Sequence, residues 1–262
     1  MINLISTVII VFSISLIFSI FGKGGGEFYL PVLVTFLNIP YFTASATTVF
    51  LIFLQSISMI TIFHFKNRLI DWGLAAIMSL TTGLSSFFGG FISLHVSPLY
   101  MKILFSIFLT ISAWFILVEK KVMVNRFIFK PWNRKLNDIE YKINLDILLP
   151  ISALVAFISG MIGISGGGII VPLLVIVGGL PLRVAMGTNT FLILSSSSMS
   201  FIGKMIHGHI NWKLNFILGV AIIIGSQIGS RLHIKIKDEV MKYAFFSILV
   251  LAAIWMILKT IF

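Results

Sequence analysis

Gly163-Ile164-Ser165-Gly166-Gly167-Gly168, followed by the apolar run 169–177 with Pro172 inside it, occurs twice in this chain. An offset of 141 residues (163 minus 22) carries Gly163, Gly166, Gly167 and Pro172 onto Gly22, Gly25, Gly26 and Pro31. The same offset carries Pro181, Ala185, Thr188 and Phe191 onto Pro40, Ala44, Thr47 and Phe50. Farther on it becomes 140 (212 minus 72), pairing Trp212 with Trp72, Gly229 with Gly89 and Met241-Lys242 with Met101-Lys102. Agreement over that length, with one residue lost, marks a duplicated unit. The chain divides into a first copy at 1–118, a connecting segment at 119–145 and a second copy at 146–262.

Composition identifies the solvent of that unit as lipid. Hydrophobic residues make up 58% and charged residues 10% of the chain, where a soluble domain carries about 25% charge. Uncharged runs cover 1–22, 28–63, 73–94, 103–118, 147–182, 184–203, 214–230 and 243–258, most of them near or above the ~20 residues that a crossing requires. The expectation is an all-α, multi-pass integral protein of the cell membrane. A net charge of +11 does not point to nucleic acid, because Lys and Arg gather in short connections as the positive-inside tendency dictates. No cysteine is present, which excludes disulfides, thiolate metal sites and cysteine nucleophiles together. No cofactor is implied.

The first run, 1–22, lacks the basic n-region and small-residue cleavage site of a secretory signal and has a mid-chain copy, so it reads as a structural crossing. The next run, 28–63, holds 36 residues, ~54 Å if wholly helical against a hydrocarbon core of about 30 Å. Asn38, Pro40 and Thr43 mark a turn within it. That leaves a short helix at 27–37, too short to span, ahead of a full crossing at 44–63. Crossings at 73–94 and 100–118 complete the first copy, and the second repeats the plan from Asp146.

The segment 119–144 is basic, with Lys120, Lys121, Arg126, Lys130, Arg134, Lys135 and Lys142 outnumbering its acids, which places it on the cytoplasmic side. Phe127, Phe129 and Trp132 interleave with those charges, which suits either a segment lying on an anionic membrane surface or a solvated tether. Charge also favours inverted over parallel repeats. Inversion gathers Lys66, Arg68, Arg231, Lys235, Lys237 and Lys242 inside and leaves Lys102, Lys204, Lys213 and Lys259 outside, with both termini outside.

The glycine-rich turn followed by a short proline-containing helix, the string Pro181-x-x-x-Ala185-x-Gly187-Thr188-Asn189 and the duplication together resemble the TauE/SafE family of sulfite exporters, the TSUP transporters, over the whole chain. The resemblance implies a bundle of about eight helices moving small anions, among them sulfite, thiosulfate, sulfonates and related organic acids. The first copy departs from the pattern at Lys23, at Glu27 where the second has Gly168, and at Ala46 where the second has Gly187.

Elementary chemistry reaches a similar place from the residues alone. A glycine turn inside a membrane frees backbone N–H groups that lipid cannot satisfy, so such backbone has to line a protein-enclosed cavity. At the start of a short helix those groups and the helix dipole favour an anion. The candidate substrate-binding residues are therefore Gly24, Gly25, Gly26, Gly166, Gly167 and Gly168, with hydroxyl and amide groups following at Thr47, Thr48, Thr188, Asn189 and Thr190. The competing reading is ordinary packing, since small residues let helices approach and Thr bonds its own helix. Lys23 and Glu27 are candidates for charge compensation or for coupling to protons, against a simple ion pair at four-residue spacing.

Two other classes compete. Gly163-Ile164-Ser165-Gly166 also fits the serine motif of an intramembrane protease, but no histidine falls inside an expected crossing to act as base, and the first copy has Gly24 in place of Ser165. A non-transporting assembly subunit would use a soluble module or open groove that the sequence does not offer. Lys204 and Arg231 are expected to reach the membrane interface, and His64, His95, His207, His209 and His233 to lie exposed in turns, with His207 and His209 a weak metal pair.

Overall fold

The computed structural model describes residues 2–66, 68–117, 132–136, 139–206 and 210–233, with single positions at 240, 243, 246, 247 and 250. Apart from those at 243, 246, 247 and 250, the positions of the expected crossing at 243–258 lie outside the described residues, as do Phe127, Phe129, His207 and His209. Helices dominate. The first copy contains α1 (Ile2–Ile20), α2 (Gly26–Phe36), α3 (Tyr41–Ile60), α4 (Trp72–Ile92) and α5 (Pro98–Leu117). The second contains α6 (Leu145–Ile162), α7 (Gly167–Ile176), α8 (Leu182–Met205) and α9 (Trp212–Leu232). A π-helical turn, Thr61–Lys66, prolongs α3.

Local chemistry sets these boundaries twice over. Pro40 and Pro181, with φ of −54° and −58°, precede α3 and α8; the ring holds that angle and starts the helix. Asp71 accepts the Leu74 N–H at the start of α4, and Asn211, its equivalent 140 residues on, accepts the Leu214 N–H at the start of α9, both at 3.1 Å. These side chains satisfy donors that a helix start leaves without partners. The half-helices α2 and α7 have 11 and 10 residues, so they run ~15 Å, about half the hydrocarbon core.

The spans Tyr41–Lys66, Trp72–His95, Leu145–Ile162 and Trp212–Leu232 are long and apolar enough to cross a membrane. Their outer faces are stripes of exposed apolar side chains at four-residue spacing, Leu80, Leu84 and Phe88 on α4 and Phe216, Val220 and Ile224 on α9. One helix face carries each stripe, and a solvent of lipid tails is what it matches. Inner faces carry small residues. A Cβ on Gly89 would collide with the Phe157 carbonyl, and one on Gly229 with the Leu16 carbonyl; residues 157 and 16 are themselves 141 apart. Backbones thus approach at the same points in both copies.

Contacts between helices exchange the copies in the same way. α1 packs along α9 as α6 packs along α4, and α3 lies against α8. Phe191 of α8 packs against the cluster of Met59, Phe63, Ile70 and Ala75, whereas Phe201 packs on Phe50 with ring centroids 5.1 Å apart. Rising numbers on α8 meet falling numbers on α3, so these two equivalent helices run in opposite directions.

Two expectations, those for Lys204 and His233, need correction, and the described part of the connecting segment is folded: β1 (Trp132–Leu136) and β2 (Ile139–Ile143) form an antiparallel hairpin with Trp132 opposite Ile143. Arg134 of the hairpin grips the buried Asp71 through two hydrogen bonds of 2.5 and 3.1 Å, and the Tyr141 hydroxyl donates to the same carboxylate at 2.6 Å. Burial works to raise the Asp71 pKa, but hydrogen bonds from Arg134, Tyr141 and the Leu74 N–H outweigh it and hold the carboxyl below its ordinary range.

Lys204 does not reach the interface. It is buried, and its Nζ donates to Met161 O at 3.0 Å. His233 is likewise buried rather than exposed, with Nδ1 2.5 Å from Ile20 O. Ile20 and Met161 are equivalent, 141 residues apart, in the last turns of α1 and α6. Because both helices end at a glycine turn inside the protein, their final carbonyls face no water, and a basic side chain from another helix satisfies each.

Candidate functional site

The two glycine turns meet. Gly22 and Gly163 take left-handed conformations, φ of 60° and 98°, a region costly for residues with a Cβ. These turns stop α1 and α6 and redirect the chain into α2 and α7. Ser165 Oγ donates to Gly24 O at 3.3 Å, and these are equivalent positions, so the copies touch at a point that each supplies. Around it the same contacts appear twice. A Cβ on Gly26 would come within 3.2 Å of Ile164 Cα, and one on Gly167 within 3.1 Å of Lys23 Cγ; Gly26 corresponds to Gly167 and Lys23 to Ile164.

Both half-helices begin at this junction without caps. Neither Gly25 before α2 nor Gly166 before α7 provides a side-chain hydrogen bond. In α2 the first backbone bond back to Gly25 O comes from Phe28, and in α7 the first back to Gly166 O comes from Ile169. The N–H groups of Gly26 and Glu27, and of Gly167 and Gly168, are the first-turn donors that no helix can satisfy itself. All four residues are buried.

Side chains from the following helices close on each start. Thr48 lies beside Gly26, its Cγ2 3.4 Å from where a Cβ would sit, and Asn189, the equivalent residue, lies beside Gly167 with Nδ2 at 2.9 Å. Asn189 Nδ2 donates to Gly22 O at 3.1 Å. Thr47 Oγ1, Thr48 Oγ1 and Asn189 Oδ1 are buried without a hydrogen-bond partner, a condition that costs free energy unless a ligand relieves it.

Lys23 and Glu27 form an ion pair of 2.9 Å with both side chains fully buried. Ser165 Oγ also donates to Glu27 Oε1 at 3.4 Å, and the Lys23 ammonium lies 5.6 Å from the centre of the Phe18 ring. Glu27 Oε2 has no hydrogen-bond partner. The pair thus links the start of α2 to the turn ahead of α7.

Other candidates are drawn elsewhere. Gly25 N–H, expected to face a ligand, donates to Gln55 Oε1 at 3.1 Å. Thr188 Oγ1 accepts the Asp71 N–H at 3.1 Å, and Thr190 Oγ1 donates to Gly187 O in its own helix at 2.6 Å. Gln55 escaped the sequence reading. Its Oε1 also accepts the Tyr29 hydroxyl at 2.9 Å while its Nε2 donates to Ser19 Oγ at 2.9 Å, tying α1, the first turn, α2 and α3 together. A lone glutamine inside an apolar crossing was the available signal.

Among known proteins, residues 7–256 match the family described as sulfite exporter TauE/SafE. The chain is 28% identical over 272 residues to "Probable membrane transporter protein MJ0441" of Methanocaldococcus jannaschii, covering 96% of this chain and 94% of that one. It is 24% identical over 256 residues to "Probable membrane transporter protein YunE" of Bacillus subtilis, covering 93% of each. No solved structure matches at a comparable level of significance.

Proposed function

Because the chain belongs to the sulfite exporter TauE/SafE family, we propose that this membrane transporter carries a small sulfur-containing or related organic anion through the junction of its two glycine turns. The observation that carries the reading is the meeting, inside the protein, of two half-helix starts that have no caps. Each presents N–H donors and the positive end of a helix dipole. Donors converging from two sides suit sulfite, thiosulfate or a sulfonate, whose oxygens point in several directions. Thr47, Thr48 and Asn189 supply further polar contacts around them.

The mechanism we propose is alternating access, and the opposed directions of α3 and α8 support it because they suit inverted repeats flanking one site. Lys23, Glu27, Thr48, Ser165 and Asn189 are all at most 1% exposed, so the junction is closed in this conformation; in the proposed cycle the turns part on one side at a time. The protease alternative finds no support at Ser165, whose hydroxyl donates to Gly24 O and Glu27; among the described residues no imidazole is bonded to it.

Counterflow in proteoliposomes with labelled sulfite, thiosulfate, sulfonates and carboxylates tests the reading. Exchange of at least one of these oxyanions is expected, and failure of all of them contradicts it.

A further inference from the structure

We propose that the Glu27 carboxylate is a tethered stand-in for the substrate, displaced from Lys23 by the arriving anion only as it takes up a proton, so that one proton crosses with each monoanion. This rests on the anion site described above and adds the coupling ion and its stoichiometry.

Glu27 already occupies the place of an anion. One of its oxygens lies 2.9 Å from the Lys23 ammonium and accepts the Ser165 hydroxyl of the opposite turn. Lys23 reaches it by running its stem past Gly167 at the start of α7. A substrate oxygen bound between the turns would use those same donors, so carboxylate and substrate compete for one cation. The second oxygen, Oε2, is buried and has no hydrogen-bond partner. An ionised carboxylate offers about four acceptor sites, and leaving one oxygen dry suits a group that exchanges partners or is protonated there.

Charge makes the competition strict. Lys23 and Glu27 sum to zero, so a monoanion added to the closed site would leave a net negative charge fully out of water, which is costly. A proton on Glu27 restores neutrality. No other group competes for that role among the described residues. From α1 the ion pair meets Phe18. Within α2, Tyr29 donates its proton to Gln55. α3 contributes Thr48 and Gln55, while its Tyr41 hydroxyl is bonded to Ile162 O. α7 has no titratable residue, and α8 places Asn189 at the site, with Arg183 and Lys204 at its two ends. The second copy has Ile164 and Gly168 where the first has Lys23 and Glu27, so the duplicated site holds one carboxylate and one cycle moves one proton.

The cycle balances. A proton from water forms an O–H bond at Oε2, the Lys23–Glu27 ion pair gives way to a Lys23–anion pair, and the loaded site closes neutral. On the far side the anion leaves, the proton returns to water, and Glu27 recovers Lys23.

The test uses methanesulfonate, a monoanion at every pH employed, alongside the labelled panel. Counterflow without gradients reports the anion site alone, and exchange of no anion overturns that site and the coupling with it. Where exchange occurs, wild-type protein should take up methanesulfonate, or the panel monoanion it exchanges, with one proton per anion by an entrapped pH dye. Uptake should ignore membrane potential, and a pH step should drive about tenfold accumulation per unit. Glu27→Gln should still exchange, at a rate that no longer varies with pH, and should lose accumulation driven by a pH step. Wild-type uptake that carries net charge without protons overturns the proposal even if the variant does not fold. So does Glu27→Gln protein that still accumulates substrate on a pH step.

Discussion

Replacing Gln55 with leucine probes the framework that holds the first turn in place. Gln55 Oε1 accepts the Gly25 N–H at 3.1 Å and the Tyr29 hydroxyl at 2.9 Å, and Nε2 donates to Ser19 Oγ at 2.9 Å. Leucine has similar bulk, so the change removes these bonds without opening a large cavity. Two buried donors lose their acceptor, at about 1–3 kcal/mol each, or about 2–6 kcal/mol together. Hydrogen bonds measured in a membrane protein average ~0.6 kcal/mol because the unfolded chain in lipid finds other partners, which draws the expected net loss to about 2–4 kcal/mol. Reversible unfolding in mixed micelles reads it directly. Ser197→Ala is the control: its hydroxyl donates to Ile193 O four residues back in the same helix at 2.6 Å, a bond of little net value, and a loss within about 0.5 kcal/mol is expected. Equal stabilities for the two variants would refute the role assigned to Gln55.

Other outcomes follow from the same geometry. Gly167→Val should give folded, monodisperse protein without counterflow, because its side chain would push into the Asn189 amide and the Lys23 stem; undiminished exchange would remove Gly167 from the path. Ser165→Ala should still exchange anions, though more weakly, since its hydroxyl is one donor among several at the junction and not a nucleophile. Hairpin docking, read by a fluorophore on Lys135→Cys, should be constant from pH 8 to 5. The Asp71 carboxyl is depressed, so its contribution is complete above the ordinary value near ~3.9 and is lost only as pH falls through the lower folded value. Asp71→Asn should loosen the hairpin at every pH, and an unchanged signal would dismiss the latch. Single cysteines replacing Asn133 and Lys213 should react differently with an impermeant reagent, only the one at 213 from outside; equal reactivity would contradict opposed repeats.

Much of the fold was legible because lipid imposes a simple rule. Uncharged runs located the helices to within a few residues, and the mismatch between the long run 28–63 and the bilayer required the break that separates α2 from α3. The duplication pointed to both glycine turns before any contact was known. What periodicity could not give was which carbonyls lie orphaned inside. Lys204 and His233 look like interfacial residues until Ile20 and Met161 are seen to end their helices in the interior. Gln55 and Asp71 were missed for a related reason, since each bonds to backbone or side chains far away in sequence. Within the site, spacing placed Thr47, Thr48, Thr188, Asn189 and Thr190 on one crossing per copy. Only three dimensions separate Thr48 and Asn189, beside the half-helix starts, from Thr188 and Thr190, bonded elsewhere.

The central claim, that substrate passes where the two turns meet, is tested most directly by a reversible lock across them. A Cβ built on Gly24 lies 3.1 Å from Ser165 Cβ, slightly inside the ~3.5–4.5 Å of a disulfide, and the chain has no other cysteine. Gly24→Cys combined with Ser165→Cys should cross-link on mild oxidation, abolish counterflow, and recover it on reduction. Full exchange with the bond closed would show that the turns need not part, and would contradict the account.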